Sequence, residues 1–247
     1  MNKTGKSIAR IAISALAISA AGSALAHSDD EPGVWLGITA KGAIDTNKVF
    51  TVNVHGEDRF SEKHLTEQHG SVALDIKLTD WFTLSPRIHS VYSRNDSING
   101  RKKANGNGYV DHGWDRELRI GADGTFSQTF GGWKFSDRNR IVWRDYEDDH
   151  GFWRYRNRIQ VNSPWKWTDY KINPYTSFEL FLDDGKPAKD VRKNDKFDQW
   201  RFVVGFQTAI TKRISLNTYY LLQEKKDTSG HDWSGHNIIG LDLAFKF

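Results

Sequence analysis

Arg154, Arg156, Arg158 and Gln160 alternate with Trp153, Tyr155, Ile159 and Val161 in the stretch 152–161. Side chains on a strand alternate faces, so the three guanidinium groups share one side and the rings and aliphatics the other. A guanidinium offers a planar fork of donors suited to carboxylate, sulfate or phosphate, and its charge is not lost at neutral pH. The stretch 133–146 repeats the pattern, with Arg138, Arg140 and Arg144 opposite Phe135, Ile141 and Trp143. Arg87, Arg119 and Arg201 fall on polar faces of other alternating stretches, as do Glu117, Asp123, Glu179, Asp75 and Asp242. Two chemistries fit such a set. The charges pair across strands and fill a narrow interior, or rows of guanidinium hand an anionic solute from fork to fork. The two adjacent arginine strands carry six arginines and few acids on the same face. That favours a basic stripe along one wall, which an anion path needs.

The residues that could do hydrolytic chemistry are Asp148, Asp149 and His150, Asp111 and His112, and His231, Asp232, Ser234 and His236. All fall in loop-like stretches, and no spacing among them sets a nucleophile beside an oriented base. His231 and His236 lack a surrounding ligand set of recognisable metal-binding spacing. Gly106-Asn107-Gly108 reads as loop, with no phosphate-binding glycine motif and no nucleic-acid motif. The expectation is therefore no catalytic residue, no metal and no cofactor.

Eleven stretches match a period of two and must position these groups: 34–41, 50–59, 71–78, 84–92, 115–126, 133–146, 152–161, 170–182, 200–208, 214–224 and 237–247. Short connections near Thr79, Gly131, Pro164 and Thr211 alternate with longer polar ones near Lys63, Arg94, Asp148, Lys189 and Thr228. Outer-membrane barrels have this asymmetry, short periplasmic turns against longer external loops. The expected fold is an all-β, antiparallel transmembrane β-barrel. Bacterial single-chain barrels have even strand numbers, so ten or twelve strands are expected: either 34–41 lies inside the barrel or pairs irregularly, or a twelfth strand lies in a loop. Pro86 cannot donate to a ladder and predicts a bulge or weak pairing. Asp137 and Asn139 fall on the nominal lipid side, which predicts headgroup depth or a register-shifting bulge.

The start of the chain has Lys3, Lys6 and Arg10, an apolar run over 11–21, then Ala24-Leu25-Ala26. This is the pattern of an export signal cleaved after Ala26, so the expected organisation is a signal peptide over 1–26 and a barrel over 27–247. The leader removes three of the 35 basic residues and none of the 31 acidic ones, leaving 32 against 31. Near-neutral charge gives no global case for nucleic acid as a partner. There is no cysteine, hence no disulfide or thiolate chemistry. Ten Trp, eight Tyr and 14 Phe with a single Met suit the aromatic girdles of a membrane barrel. Trp133, Trp143, Trp153, Trp165, Trp167, Tyr170 and Trp200 are the expected girdle residues, and Trp35, Tyr175 and Tyr219 are aromatics on the polar faces.

An opening Trp35 strand, Arg59, Arg154-Tyr155-Arg156-Asn157-Arg158, Pro174-Tyr175 with Glu179, Arg201 before Gly205, Tyr219-Tyr220 and a terminal Phe247 resemble a bacterial outer-membrane barrel family catalogued as a domain of unknown function. The resemblance spans nearly all of the chain after the leader. It implies the barrel and carries no catalytic or ligand residues. A looser similarity, on the arginine alternation and the late aromatic-Glu strand alone, runs to the oligogalacturonate-specific monomeric porins, whose interiors carry arginine tracks for acidic sugars. The expectation is a monomeric, non-enzymatic barrel in the outer membrane of a Gram-negative bacterium. Its partners would be outer-membrane lipid and small anionic solutes or acidic oligosaccharides. The competing expectation is a closed barrel acting through its loops at 94–114 and 183–198.

Overall fold

The computed structural model describes residues 33–61, 64–94, 114–147, 149–167, 171–184, 196–226 and 233–247. The leader reading over 1–26 lies outside them. Within them the chain forms eleven strands: β1 (Gly33–Ala43), β2 (Phe50–Ser61), β3 (His64–Lys77), β4 (Phe82–Arg94), β5 (Trp114–Phe130), β6 (Trp133–Tyr146), β7 (Asp149–Asn162), β8 (Ile172–Asp184), β9 (Phe197–Ala209), β10 (Ile214–Lys226) and β11 (Trp233–Lys246). Each pairs with its sequence neighbours, and β1 pairs with β11 to close the barrel.

The number corrects the expectation of ten or twelve. Strands that alternate up and down an odd number of times leave the first and last pointing the same way, so the closing pair must be parallel. It is: Gly33 to Lys41 run beside Ile238 to Lys246 in parallel register, while the other ten pairs are antiparallel. The first strand is thus a full member of the wall.

Two of the connections read as long are short. β2 and β3 are separated by residues 62–63, and β6 and β7 by residues 147–148. Arg59 and Glu67, across the β2–β3 hairpin, are ion-paired at 2.7 Å, which carries the ladder past the point where apolar alternation fades. The β5–β6 hairpin turns on Gly131 and Gly132, with φ of 56° and 84°. A two-residue turn whose twist matches that of the strands needs positive φ at both positions, and glycine adopts it without a Cβ penalty. Pro86 leaves a gap in the β3–β4 ladder between Ala73↔Arg87 and Ile76↔Leu84, with the register unchanged on either side. It weakens pairing and makes no bulge.

The apolar side chains face out. Ile38, Val54, Val72, Ile88, Ile120, Ile141, Ile159 and Phe178 are all exposed to about half their area, one after another around the wall. The polar alternates face in. A soluble barrel would reverse this arrangement. Aromatic pairs mark both ends of the apolar band on β6 and β7: Trp133 meets Trp165 edge-on at 5.2 Å, and Trp143 meets Trp153 edge-on at 5.4 Å. Tyr170 lies outside the described residues. Asp137 and Asn139 sit in unbroken register between these pairs, opposite Ile159 and Asn157. The β6–β7 irregularity falls instead between Arg144 and Tyr146, so no bulge explains them.

Candidate functional site

Strand alternation places Arg87 on β4, Glu117, Arg119 and Asp123 on β5, Arg138, Arg140 and Arg144 on β6, Arg154, Arg156 and Arg158 on β7, Glu179 on β8 and Arg201 on β9, all on the face opposite the exposed apolar residues. Contacts that skip a strand fix that face as the interior. Arg138 on β6 donates to Glu179 on β8 at 2.7 Å, and Arg154 on β7 reaches Asp198 on β9 at 2.8 Å. Flat wall neighbours two strands apart do not meet this way; side chains converging inside a barrel do.

The arginines divide by how well they are answered. Arg140 grips Asp123 through Nε at 2.6 Å and Nη2 at 2.8 Å. Arg144 binds both oxygens of Glu117, which also takes two bonds from Arg119. Arg154 is forked onto Asp183 and also bonded to Asp198. These bidentate pairs are the strong form of charge-assisted hydrogen bond, and with the carboxylates buried they hold strands together. The acids come from β5, β8 and β9, so the scarcity of acids on β6 and β7 themselves does not make the whole stripe bare.

A second set is under-answered. Arg138 and Arg156 share the single carboxylate of Glu179, at 2.7 and 3.0 Å. Arg158 is the cross-strand partner of both Arg138 and Glu179, yet among the described residues no carboxylate pairs with it. Arg87 touches Asp123 only at 3.4 Å, behind Arg140. Five guanidinium groups, Arg87, Arg138, Arg140, Arg156 and Arg158, thus surround two carboxylates. The Nε–H of Arg87, Arg138, Arg156 and Arg158 is in each case buried without an acceptor among the described residues. Buried donors left unpaired are costly, and four in one cluster of like charge form a place where an anion would be stabilised.

Aromatic rings hold the cluster from one side. Phe181, only 2% exposed, lies 4.5 Å beneath the Arg156 guanidinium and 4.8 Å beneath that of Arg201. Trp35 is covered by Arg59 at 3.8 Å and by Arg201 at 5.0 Å. Arg201 Nε donates to Gln223 Oε1 at 2.8 Å. Tyr175 and Tyr219 do face in, but each lies flat across a glycine on the next strand. A Cβ on Gly205 would stand 2.6 Å from the Tyr175 ring, and one on Gly240 would collide with the Tyr219 ring. They are packed rather than free to stack on a solute.

Sequence reading missed a second polar chain, on the β1–β4 wall. Glu57, Arg59, Glu67, His69 and His89 are linked in that order at 2.7 to 3.0 Å, and Thr39 bridges His55 and Asp242 at 2.9 and 3.1 Å. The alternation of 55, 57, 59 and of 67, 69 carried the signal. Of the hydrolytic candidates, Ser234 Oγ and His236 Nε2 are 3.3 Å apart and exposed. Asp111, His112, Asp148, His231 and Asp232 lie outside the described residues, as do the side chains of Asp149 and His150. Among the described residues no group of three or more His, Cys, Asp or Glu could hold a metal.

The family model described as "Protein of unknown function (DUF2490)" matches residues 32–234. No curated protein matches the chain. Among solved structures the chain is similar to one titled "NanC porin structure in rhombohedral crystal form", at 13% identity and a TM-score of 0.49, over 87% of this chain and 99% of that one.

Proposed function

This chain belongs to the DUF2490 family, a family of unknown function, and we propose that it is an outer-membrane barrel that binds and passes small anionic solutes at its interior guanidinium cluster. The membrane placement rests on the continuous outward apolar band between aromatic pairs, which in water would be an exposed patch far larger than a soluble monomer carries. The observation that carries the anion reading is the set of four buried, acceptor-less Nε–H groups on Arg87, Arg138, Arg156 and Arg158. A carboxylate, sulfate or phosphate supplies the oxygens these forks lack; acidic oligosaccharides are one class of such solute. The role is passive, with no chemical step.

The test is conductance of the refolded, leaderless protein in planar bilayers under a salt gradient. Anion-selective steps whose reversal potential moves toward zero in the Arg156→Gln/Arg158→Gln variant support the reading. Silence from protein shown to be inserted would favour a filled barrel acting through its loops, a reading to which the fully answered pairs of Arg140, Arg144 and Arg154 lend weight.

A further inference from the structure

The outer face of β6 and β7 carries a cluster of one carboxyl, two carboxamide and one phenol group in a band that is otherwise mainly apolar. Asn157 Nδ2 donates to Asp137 Oδ1 at 2.6 Å and to Asn139 Oδ1 at 3.0 Å, and the Tyr155 hydroxyl also donates to Asn139 Oδ1. Its depth follows from the two tryptophans at the ends of the same face of β6. Ten residues separate Trp133 from Trp143, about 33 Å of strand at about 3.3 Å per residue. A strand tilt of about 40° converts this to about 25 Å of height, the thickness of a barrel's apolar band. Asp137 and Asn139 fall in the middle of that span, flanked on the same face by Phe135, Ile141 and Ile159. A carboxylate and two carboxamides facing lipid at mid-depth have no water to satisfy them, and such groups normally meet a partner.

We infer that a second copy of this chain docks on this face, β6–β7 against β6–β7. The argument for that occupant is the donor and acceptor count. Within one copy the three bonds use both N–H groups of Asn157, the Tyr155 hydroxyl hydrogen, Asp137 Oδ1 and Asn139 Oδ1. They leave the two N–H groups of Asn139 as donors, and Asp137 Oδ2 and Asn157 Oδ1 as acceptors. The cluster therefore has as many unused donor hydrogens as unused acceptor oxygens and is complementary to itself. Two barrels inserted the same way up and related by a two-fold axis along the membrane normal bring these groups together at one depth, each copy's Asn139 donating to the other's Asn157 and Asp137. That is the isologous contact of a closed dimer. Asn139 and Asn157 are directly opposite across the β6–β7 ladder, so at that tilt their heights differ by only about 3 Å, within the reach of their side chains. The inference depends on the membrane placement proposed above but not on the anion path.

The chain has no cysteine, so single cysteines report proximity without background. Ile159→Cys, beside the cluster, and Val72→Cys, on the outer face of β3, are refolded separately into lipid vesicles and treated with a short bis-maleimide. The expected result is a linked dimer for Ile159→Cys and little for Val72→Cys. Adding Asp137→Leu, Asn139→Leu and Asn157→Leu to Ile159→Cys should lower the linked fraction about tenfold, the scale of losing a buried hydrogen-bonded contact. Equal linkage at both sites, no linkage at either, or linkage unchanged by the leucines overturns the dimer. Should the leucine variant fail to fold, the comparison of the two single-cysteine proteins still decides. Heat-dependent gel mobility and protease protection score insertion independently. A protein that inserts as a monomer sinks the dimer alone, and one that folds as a monomer without lipid sinks the membrane reading with it.

Discussion

On the inner face of β4 to β8, five guanidinium groups crowd two carboxylates and leave four N–H groups without acceptors. On the wall formed by β1, β9, β10 and β11, Trp35, Leu221 and Ile238 pack into a small apolar core with Val203 and Tyr219, and tyrosines seat themselves in the gaps over Gly205 and Gly240. One wall is closed by shape, the other is held by charge and left incomplete. Packed interiors tolerate little change in volume, whereas under-answered charge gains from anything that supplies oxygens. The contrast separates a wall closed by packed side chains from a wall held by charged pairs.

The comparison is broken most directly at Glu179, the one carboxylate shared by Arg138 and Arg156. Glu179→Gln leaves buried guanidinium groups unpaired and should cost about 3–5 kcal/mol, read as a lower urea midpoint of the refolded barrel; added sulfate should restore part of the loss. On the other wall, Gly240→Val drives a side chain into the Tyr219 ring and should cost about 1–3 kcal/mol. Pairing it with Tyr219→Ala should return part of that, whereas sulfate should not. Arg158→Gln removes a cation that no carboxylate among the described residues answers, so stability should move by less than about 1 kcal/mol, on the stabilising side, while anion preference falls. If Arg158→Gln proved as damaging as Glu179→Gln, the two walls would not differ in kind. The smallest effect lies at the turn after β1. There the Phe50 N–H, at 2.8 Å, and then that of Val49, at 3.1 Å, hold the half-exposed Asp45 carboxyl below its usual range. A depressed carboxyl stabilises the fold above its unfolded value of about 3.9 and loses that contribution as pH falls through the lowered value. Wild type and Asp45→Asn should therefore differ slightly in melting temperature at neutral pH and converge in acid.

Much of the wall was legible because period two survives wherever one face is apolar and the other polar. All eleven stretches overlap strands of the barrel. What escaped the sequence was pairing. Arg138 and Glu179 are 41 residues apart and meet across an intervening strand, and no local pattern reports such a contact. Asp183 and Asp198, which clamp Arg154, sit at strand ends inside a segment whose charge reads as loop. The histidines at 69 and 89 lie on separate strands, so their linkage appears only once β3 and β4 are in register. Alternation likewise carries no sign for parallel or antiparallel, which is why an odd strand number looked like a fault rather than a seam.

That seam has a consequence for permuting the chain. Because β1 and β11 run alongside each other in the same direction, Gly33 lies at one rim of the barrel and Phe247 at the other. In an even-stranded barrel the two ends lie together and a few residues suffice to join them. Here a joint from Phe247 back to Gly33 would have to run the length of the wall, about 35 Å along a strand of this length, through the bore or across the outside. Cutting the chain at a loop and ligating its old ends is therefore a far harder operation on this barrel than on its even-numbered counterparts. Labels at Gly33 and Phe247 should report from opposite mouths.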